Sequence, residues 1–491
     1  MAVSPTVTDL LDGFRHLSAL VVGEAMLDSY LHGTSSRLCS EAPVPVVAVG
    51  ARVDAPGGAA NTAVNVAALG AQATLLSVVG GDAEGDALVR LLAGHGVATG
   101  EIVRDGARRT LAKQRLLAGG HMLVRFDHGS THRLDPGRER AVAGRLAALF
   151  AAHDAVVVSD YGYGVLGPRM IATLAGLQAR APRVLVVDSR RLAAYRGAAV
   201  TAVKPNYAEA LALLGARGRG DRHRTTLIAR HGARLLDLSG AQIAAVTLDT
   251  EGALVFERGR EPYRTYAQPA EHSRAAGAGD TFGAALALAL AAGAHVPAAA
   301  EIASAAAAIV VRKEGTAACA ADELRGYLAG GKKVLADAAA LEASVAAHRR
   351  AGRRIVLTTG CFDILHRGHT TYLNAAKALA DVLLVAVNSD ASVARLKGAD
   401  RPINTLEDRA EVLASLSCVD HIVPFDDDTP AAVVRAVRPD VFVKGGDYTR
   451  DMLPEVRLVE ALGGVVRILP YVEDRSTTGL IRRIRATSRA A

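Results

Sequence analysis

The runs Ala155-Val156-Val157-Val158-Ser159, Val184-Leu185-Val186-Val187-Asp188 and Ala244-Ala245-Val246-Thr247-Leu248 decide the fold. Each is short and apolar and ends where polar residues begin, as a buried strand does. Longer Ala-rich segments of helical character separate such runs, and the alternation begins near Leu17. That alternation is the signature of a layered α/β protein. It also says where chemistry belongs, because ligands of open α/β sheets sit at the carboxyl ends of strands. From Leu38 to Val49 the chain reads instead as an extended segment broken by Pro43 and Pro45, which predicts an edge strand or a lid.

With 491 residues, the chain exceeds what one hydrophobic core organises. The pattern breaks near Gly330-Gly331-Lys332-Lys333, an Ala-rich amphipathic helix follows to about Arg350, and a fresh strand begins at Arg354–Thr359. These breaks divide the chain into 1–330, a connecting helix and linker over 331–353, and 354–491. The last part has its own α/β alternation, with strands at Val382–Asn388, His421–Pro424, Val441–Lys444 and Val465–Leu469 and a helix near Leu406–Ser415.

Half of the residues are hydrophobic and 22% are charged, which excludes disordered and fibrous classes. Lys plus Arg exceeds Asp plus Glu by 57 − 50 = 7, and the excess is scattered instead of gathered into an arm or block. That distribution suits phosphorylated small molecules and argues against nucleic acid. Cys39, Cys319, Cys361 and Cys418 lie far apart without zinc-site spacing, which points to a reducing cytoplasm. Met1 to Phe14 lacks the charged-then-apolar pattern of an export signal. Gly283 to Ala294 is shorter than the roughly 20 apolar residues a membrane helix needs, so a buried helix and no membrane partner are expected.

Ala276-Gly277-Ala278-Gly279-Asp280-Thr281 stands just before that helix. Glycines at a helix start let backbone N–H groups turn toward an anion, and a carboxylate beside them can take a proton from an attacking sugar hydroxyl. A capping Asp after a Gly-rich turn reads the same way. Lys204-Pro205-Asn206-Tyr207-Ala208-Glu209 presents an amide and a carboxylate suited to ordering water and Mg²⁺ around nucleotide phosphates, or a plain helix cap. Pro56-Gly57-Gly58-Ala59-Ala60-Asn61 offers flexible backbone and an amide at the head of an Ala/Val helix, where sugar hydroxyls could be gripped.

In this order and spacing, these stretches resemble the ribokinase-like sugar kinases over about residues 15–328. Gly23-Glu24-Ala25-Met26-Leu27-Asp28, Ser40-Glu41-Ala42-Pro43-Val44-Pro45-Val46, Val124-Arg125-Phe126-Asp127 and Ser159-Asp160-Tyr161 look most like the heptose 7-phosphate kinase branch. The resemblance implies an α/β/α sandwich with a small β lid, Mg²⁺ with ATP, and Asp280 as the catalytic base. It implies that Gly277 and Gly279 build an anion hole and that Lys204, Asn206 and Glu209 serve the metal-bound nucleotide, with no direct protein ligation of the metal. It assigns Asp28, Gly57, Gly58, Asn61 and Asp160 to the sugar, and Lys113 and Arg115 to its existing phosphate. A homodimer through the kinase domain is an arrangement it allows. The chain departs from the pattern at Ser273-Arg274-Ala275-Ala276, where the family usually carries an acidic residue and threonines, and at Glu24, where it usually has Asp. These changes put the monovalent-cation site in question. Asp188-Ser189-Arg190-Arg191 replaces the usual Asp-Pro-Lys-Gly, so substrate details are expected to differ.

Further on, Thr359-Gly360-Cys361-Phe362-Asp363-Ile364-Leu365-His366-Arg367-Gly368-His369 leaves a strand and enters a helix. Two imidazoles around a glycine at a helix N-terminus can donate to an α-phosphate as charge builds during in-line attack. A zinc pair would need further His or Cys ligands, which the neighbouring sequence lacks. This part resembles the cytidylyltransferase-like nucleotidyltransferases, a Rossmann-like fold, over about residues 354–485. The likeness implies catalytic roles for His366 and His369 and phosphate contacts from Lys397, Arg475, Ser476, Thr477 and Thr478. Asn388-Ser389-Asp390 and Lys444-Gly445-Gly446-Asp447-Tyr448 complete it, in the order of heptose 1-phosphate adenylyltransferases.

The combination is similar to bifunctional ADP-heptose synthesis enzymes. It implies ATP-dependent phosphorylation of D-glycero-β-D-manno-heptose 7-phosphate, then adenylyl transfer to the 1-phosphate once a phosphatase has removed the 7-phosphate. Two rivals are the same reactions on another sugar or nucleotide, and a sugar-phosphate sensor attached to an active transferase.

Overall fold

A computed structural model describes residues 6–216, 224–267, 275–328, 333–335, 337–446 and 449–469. The chain divides into two compact units, Met1–Arg325 and Gly326–Ala491.

The first unit is built on an 8-stranded sheet. Its strands run in the order Tyr263–Thr265, Ala253–Glu257, Ile243–Thr247, Ala202–Val203, Val184–Ser189, Ala155–Asp160, Ser18–Gly23, Gln72–Leu76. All neighbours are parallel except the two pairings at the Tyr263–Thr265 end. Ala155–Asp160 is buried at every position, so its unbroken apolar run reflects a strand covered on both faces. One face packs Leu20, Val22, Val156, Val158, Leu185 and Val187 against Phe150, Met170 and Leu174. The expected apolar helix extends over Ala278–Ala291 and is buried from Asp280 through Ala289, which explains a composition that is hydrophobic all round. Strand order reverses beside Ser18–Gly23, which lies between Gln72–Leu76 and Ala155–Asp160. The loops following Ser18–Gly23 and Ala155–Asp160 therefore open onto the crevice where such sheets bind ligands.

A separate 4-stranded sheet, in the order Pro45–Gly58, Ala25–Leu38, Leu111–Ala118, His121–His128, forms the lid. The segment that Pro43 and Pro45 interrupt is its outer hairpin, and the edge strand starts at Pro45. This is the α/β/α sandwich with a small β lid that the sequence implied.

The second unit has a wholly parallel 5-stranded sheet ordered His421–Phe425, Val382–Asn388, Ile355–Gly360, Val441–Gly445, Val465–Leu469. Numbered along the chain this is 3-2-1-4-5, the doubly wound Rossmann order, with its switch point after the first strand. The helix Ala338–Arg350, capped by Asp337, puts Leu341 into the same core as Ile355, Leu384, Val434 and Phe442. Burying that leucine stabilises the unit by about 2 kcal/mol. Leu335 N–H donates to the Ile422 carbonyl at 2.9 Å, and Lys333 Nζ to that of Leu416 at 2.8 Å. Residues ahead of the first strand are thus part of this unit's structure. No helix among the described residues is long and apolar enough to cross a membrane.

Candidate active sites

In the first unit Gly277 caps the helix Ala278–Ala291 with φ 92°, and Asp280 lies in its first turn. A side chain at Gly277 would be strained by that φ and would place Cβ 2.2 Å from Asn61 Nδ2. Asn61 Nδ2 donates to Asp280 Oδ2 at 2.9 Å, and the Tyr161 hydroxyl donates to Oδ1 at 2.7 Å. Burial pushes the Asp280 carboxyl above the usual range, while those two donors and the Lys204 ammonium pull it back. The helix start is pinned a second time, because Thr281 Oγ1 donates to Asn65 Oδ1 at 2.8 Å and Asn65 Nδ2 donates to the Asn61 carbonyl at 2.9 Å. The first N–H groups of this helix have no partner within the helix, and they lie beside the carboxylate.

Lys204 is buried and pairs with Asp188 at 3.0 Å. A Cβ at Gly279 would come 3.3 Å from its Nζ, so the cation lies directly against the Gly-rich turn. Burial pushes Asp188 up to about 6, with Lys204 opposing and Asp280 and Glu209 adding. Asn206 and Glu209 form a reciprocal cap: Glu209 N–H donates to Asn206 Oδ1 and Asn206 N–H to Glu209 Oε2, both at 2.9 Å. The helix-cap alternative is therefore realised. It leaves Glu209 Oε1 available to hold water around a cation, which fits Mg²⁺ bound through its own hydration shell.

The lid brings the remaining sugar-site candidates together. Asp28 accepts from Arg115 Nη1 at 2.9 Å and from Thr316 Oγ1 at 2.9 Å. A Cβ on Gly57 would come 2.6 Å from Asp28 Oδ2, so glycine there lets the strand close on the carboxylate. Lys113 Nζ lies 5.5 Å from the Tyr161 ring centroid and 5.9 Å from that of Tyr163. Burial lowers its pKa, with Asp28 and Asp127 opposing. Asp160 stands apart. Its fully covered carboxylate accepts from Ser189 Oγ at 2.8 Å, Tyr195 Oη at 2.9 Å, Gly162 N–H at 2.9 Å and Arg191 Nη2 at 3.0 Å. The unusual Asp188-Ser189-Arg190-Arg191 segment thus supplies two of the partners of this carboxylate.

In the second unit, the strand Ile355–Gly360 ends at the switch point and the helix Arg367–Lys377 begins with the two histidines. Gly368 N–H donates to His366 Nδ1 at 3.1 Å, and His366 N–H donates to His369 Nδ1 at 3.4 Å. A ring whose Nδ1 accepts carries its proton on Nε2, so both imidazoles present Nε2–H as donors. Their ring centroids are 4.1 Å apart. Burial, then His366 and Lys397, push His369 down to about 3, so it is neutral in ordinary conditions. Lys397 closes the helix Asp390–Lys397 and is exposed. Arg475, Ser476, Thr477 and Thr478 lie outside the described residues, as do Ser273 and Arg274 before the Gly-rich turn.

Sequence reasoning passed over the groups that shape these loops. Buried Arg409 donates to the Cys361 carbonyl and pairs with Asp390 at 2.7 Å. Asp363 pairs with Arg401 and accepts from Ile403 N–H at 2.7 Å and Asn404 N–H at 3.0 Å. Phe362 takes φ 48° and sets its ring 5.6 Å from that of His369. In the first unit the overlooked residues are Tyr161 and Thr316. Tyr161 was visible only as the aromatic residue following Ser159-Asp160.

The pfkB family carbohydrate kinase model matches residues 17–323, and the cytidylyltransferase-like model matches residues 357–483. The bifunctional protein HldE of Geobacter sulfurreducens is 39% identical over 474 residues, spanning 95% of this chain and 96% of the relative. That of Azotobacter vinelandii is 42% identical over 478 residues, spanning 96% and 98%. Among solved structures, phosphofructokinase-2 from Escherichia coli in complex with potassium superposes with a TM-score of 0.54 at 23% identity, covering 63% of this chain and 97% of that one. Arabidopsis thaliana ribokinase complexed with ribose and ATP does so at 0.50 and 19%, covering 63% and 98%. These structures share the fold of the first unit.

Proposed function

The chain belongs to the bifunctional HldE family, and we propose that it uses two molecules of ATP in turn to make ADP-heptose. It is a bifunctional enzyme, a sugar-phosphate kinase followed by a nucleotidyltransferase. The kinase half phosphorylates D-glycero-β-D-manno-heptose 7-phosphate at its anomeric oxygen. The transferase half joins AMP from ATP to D-glycero-β-D-manno-heptose 1-phosphate and releases pyrophosphate.

The observation that carries the kinase reading is Asp280, held by Asn61 and Tyr161 at the start of a buried helix. In this reading Asp280 takes the anomeric O–H proton as that oxygen bonds to the γ-phosphorus and the bond to ADP breaks. The N–H groups at Gly277 and Gly279, with Lys204, meet the charge on the transferring group. Asp28, Gly57, Gly58 and Asn61 hold the sugar, and Lys113 and Arg115 hold its 7-phosphate. Asp160 acts through the loop it anchors. Asn206 and Glu209 would order the water around a Mg²⁺ ion bound with ATP, and that ion would supply positive charge to the phosphates.

In the transferase half, the 1-phosphate oxygen attacks the α-phosphorus. His366 and His369 donate from Nε2 to the α-phosphate oxygens, Lys397 adds positive charge, and Arg475, Ser476, Thr477 and Thr478 contact the triphosphate. An Nε2–H donor on the neutral His369 ring suits a role that transfers no proton. Four free cysteines support a reducing, cytoplasmic setting. Met122 at 59% and Phe126 at 44% exposure on the lid's edge strand support a homodimer through the kinase unit.

The deciding experiment is mass spectrometry of products from heptose 7-phosphate and ATP, with and without a phosphatase. The reading expects the 1,7-bisphosphate alone in the first case and ADP-heptose only when the phosphatase is added. Absence of the bisphosphate would refute the kinase assignment.

A further inference from the structure

The carboxylate of Asp280 and the ammonium of Lys113 meet one side chain, the first at its hydroxyl and the second over its ring. Tyr161 donates its hydroxyl to Asp280 Oδ1 at 2.7 Å, and its ring lies 5.5 Å from Lys113 Nζ. Its backbone N–H donates to Glu24 Oε2 at 2.7 Å, and Glu24 Oε1 accepts from Val165 N–H at 3.1 Å. Glu24 is itself buried, one residue past the strand Ser18–Gly23. Tyr161 follows the strand Ala155–Asp160, so a carboxylate at the end of one central strand fixes the loop at the end of its neighbour. The ring also backs the lid hairpin, because a Cβ on Gly58 would come 3.2 Å from Tyr161 Cε2.

We infer that Tyr161 is a positioning residue for the kinase reaction: its phenol orients the Asp280 carboxylate, and its ring seats the Lys113 ammonium. The inference rests on the kinase reading above. Three attachments of different kinds converge on one residue, and two of them end on groups assigned to opposite ends of the same substrate. A freely turning carboxylate would present its lone pairs to the anomeric hydroxyl only part of the time. A donor on Oδ1 and another on Oδ2 leave one orientation. Donation to the charged form also favours the ionised base, against the burial that opposes it. Tyr161 remains a donor throughout, since burial and the nearby Asp280 hold its own pKa well above the ordinary phenol value. The ring face supplies Lys113 with a seat that needs no anion, so the ammonium can pair with a phosphate without first leaving a carboxylate.

Two substitutions separate the two contacts. Tyr161→Phe keeps the ring and removes the hydroxyl, whereas Tyr161→Leu removes both. Both are made in the full-length chain, and ADP release is followed against heptose 7-phosphate concentration between pH 5 and 9. For Tyr161→Phe the expected result is kcat lowered about tenfold, KM for the sugar phosphate within about twofold, and the acid limb of kcat/KM displaced to higher pH. Tyr161→Leu should also raise that KM by about fivefold or more. Circular dichroism melts of the same samples report whether the unit that carries the substitution is folded. A Tyr161→Phe enzyme with wild-type kcat and an unmoved acid limb would overturn the inference. So would a loss of kcat that leaves the acid limb in place and tracks a lower melting temperature, which is what a packing role alone produces. Failure of the underlying reading looks different: the unmodified chain would release no ADP with this sugar, or Asp280→Asn would remain active.

Discussion

Asn61 Nδ2 meets Asp280 Oδ2 at 2.9 Å across 219 residues of sequence. One residue opens the helix after the Gly57-Gly58 pair and the other opens the helix after the Gly-rich turn. The contact joins the part of the site assigned to the sugar to the part assigned to phosphoryl transfer. Asp280→Asn should lower phosphorylation of heptose 7-phosphate by about a thousandfold or more, because the amide cannot take the hydroxyl proton. Adenylyl transfer to supplied heptose 1-phosphate should stay near wild type. Kinase activity within tenfold of the unmodified chain would remove Asp280 from the role of base.

The transferase counterpart is His369→Ala. Losing one Nε2–H donor to the α-phosphate should reduce pyrophosphate release from ATP and heptose 1-phosphate about a hundredfold or more. His369 is held near pKa 3, so its protonation leaves no mark on the rate between pH 5 and 9. A rate that rises through pH 6 to 7 in the wild type and loses that rise in His369→Ala would show a titrating imidazole instead of a fixed donor.

The same depression has a consequence for stability. Burial, with His348 beside it, puts His421 at about 4, and its Nε2 lies 2.9 Å from His348 Nε2 and 3.0 Å from Ser344 Oγ. An unfolded imidazole binds a proton below about pH 6.5, while folded His421 and His369 do not until about 4 and 3. In that window the unfolded state holds more protons, so stability rises with pH and is lost as pH falls from about 6.5 toward 4. The second unit should therefore melt lower at pH 5 than at pH 7.5 by several degrees. His421→Gln should narrow that difference, read by circular dichroism at the two pH values. An unchanged difference would mean that other groups carry the acid sensitivity.

The proposed homodimer places the burden on the lid strand His121–His128, which is exposed at every residue. Arg125 and Asp127 on that strand already pair with each other at 3.0 Å, so the apolar side chains are what a partner would cover. Phe126→Ser together with Met122→Glu should convert a dimer to a monomer in light scattering. Those changes should leave adenylyl transfer unaffected. A double variant with the mass of the unmodified protein would rule out this surface.

The sheets and their ligand-bearing ends were legible because buried parallel strands leave unbroken apolar runs. Val382–Asn388 and Val465–Leu469 match the structure residue for residue. The Gly-rich turn and the histidine pair were legible as well, since each packs its chemistry into a few consecutive positions. The lid strands Leu111–Ala118 and His121–His128 were not. The second of these faces solvent on both sides and so carries no alternation. Tyr161, Thr316 and Arg409 escaped for another reason. Their partners Asp280, Asp28 and Asp390 lie 119, 288 and 19 residues away. Only the fold brings such pairs together, and a lone tyrosine, threonine or arginine has no spacing to betray it. The Asn206 and Glu209 pair was ambiguous for the opposite reason, because a capping box and a water-ordering pair use the same residues at the same interval.

Where the transferase unit begins can be tested by truncation. A cut at about Leu341 looks natural from the sequence, because the fresh strand starts near Arg354 and every transferase motif lies beyond it. The structure argues for an earlier start. Leu341 is buried in the second unit's core, and the cap on its helix is Asp337, whose carboxylate accepts from Ala340 N–H at 2.8 Å. Ahead of that cap, Val334 bridges to Ile422 and Lys333 reaches the Leu416 carbonyl. Removing the cap costs about 1 kcal/mol, and the lost backbone pairing along the edge strand His421–Phe425 costs about as much again. A fragment of Gly326–Ala491 should therefore fold and release pyrophosphate from ATP and heptose 1-phosphate at a rate close to the full chain. One that starts at Leu341 should melt about 5–10 °C lower while keeping the same kcat wherever it is folded. Circular dichroism melts and pyrophosphate release on the two fragments decide the matter. Equal melting temperatures would show that residues before Leu341 add nothing, and a folded but inactive longer fragment would show that the transferase site depends on the kinase unit.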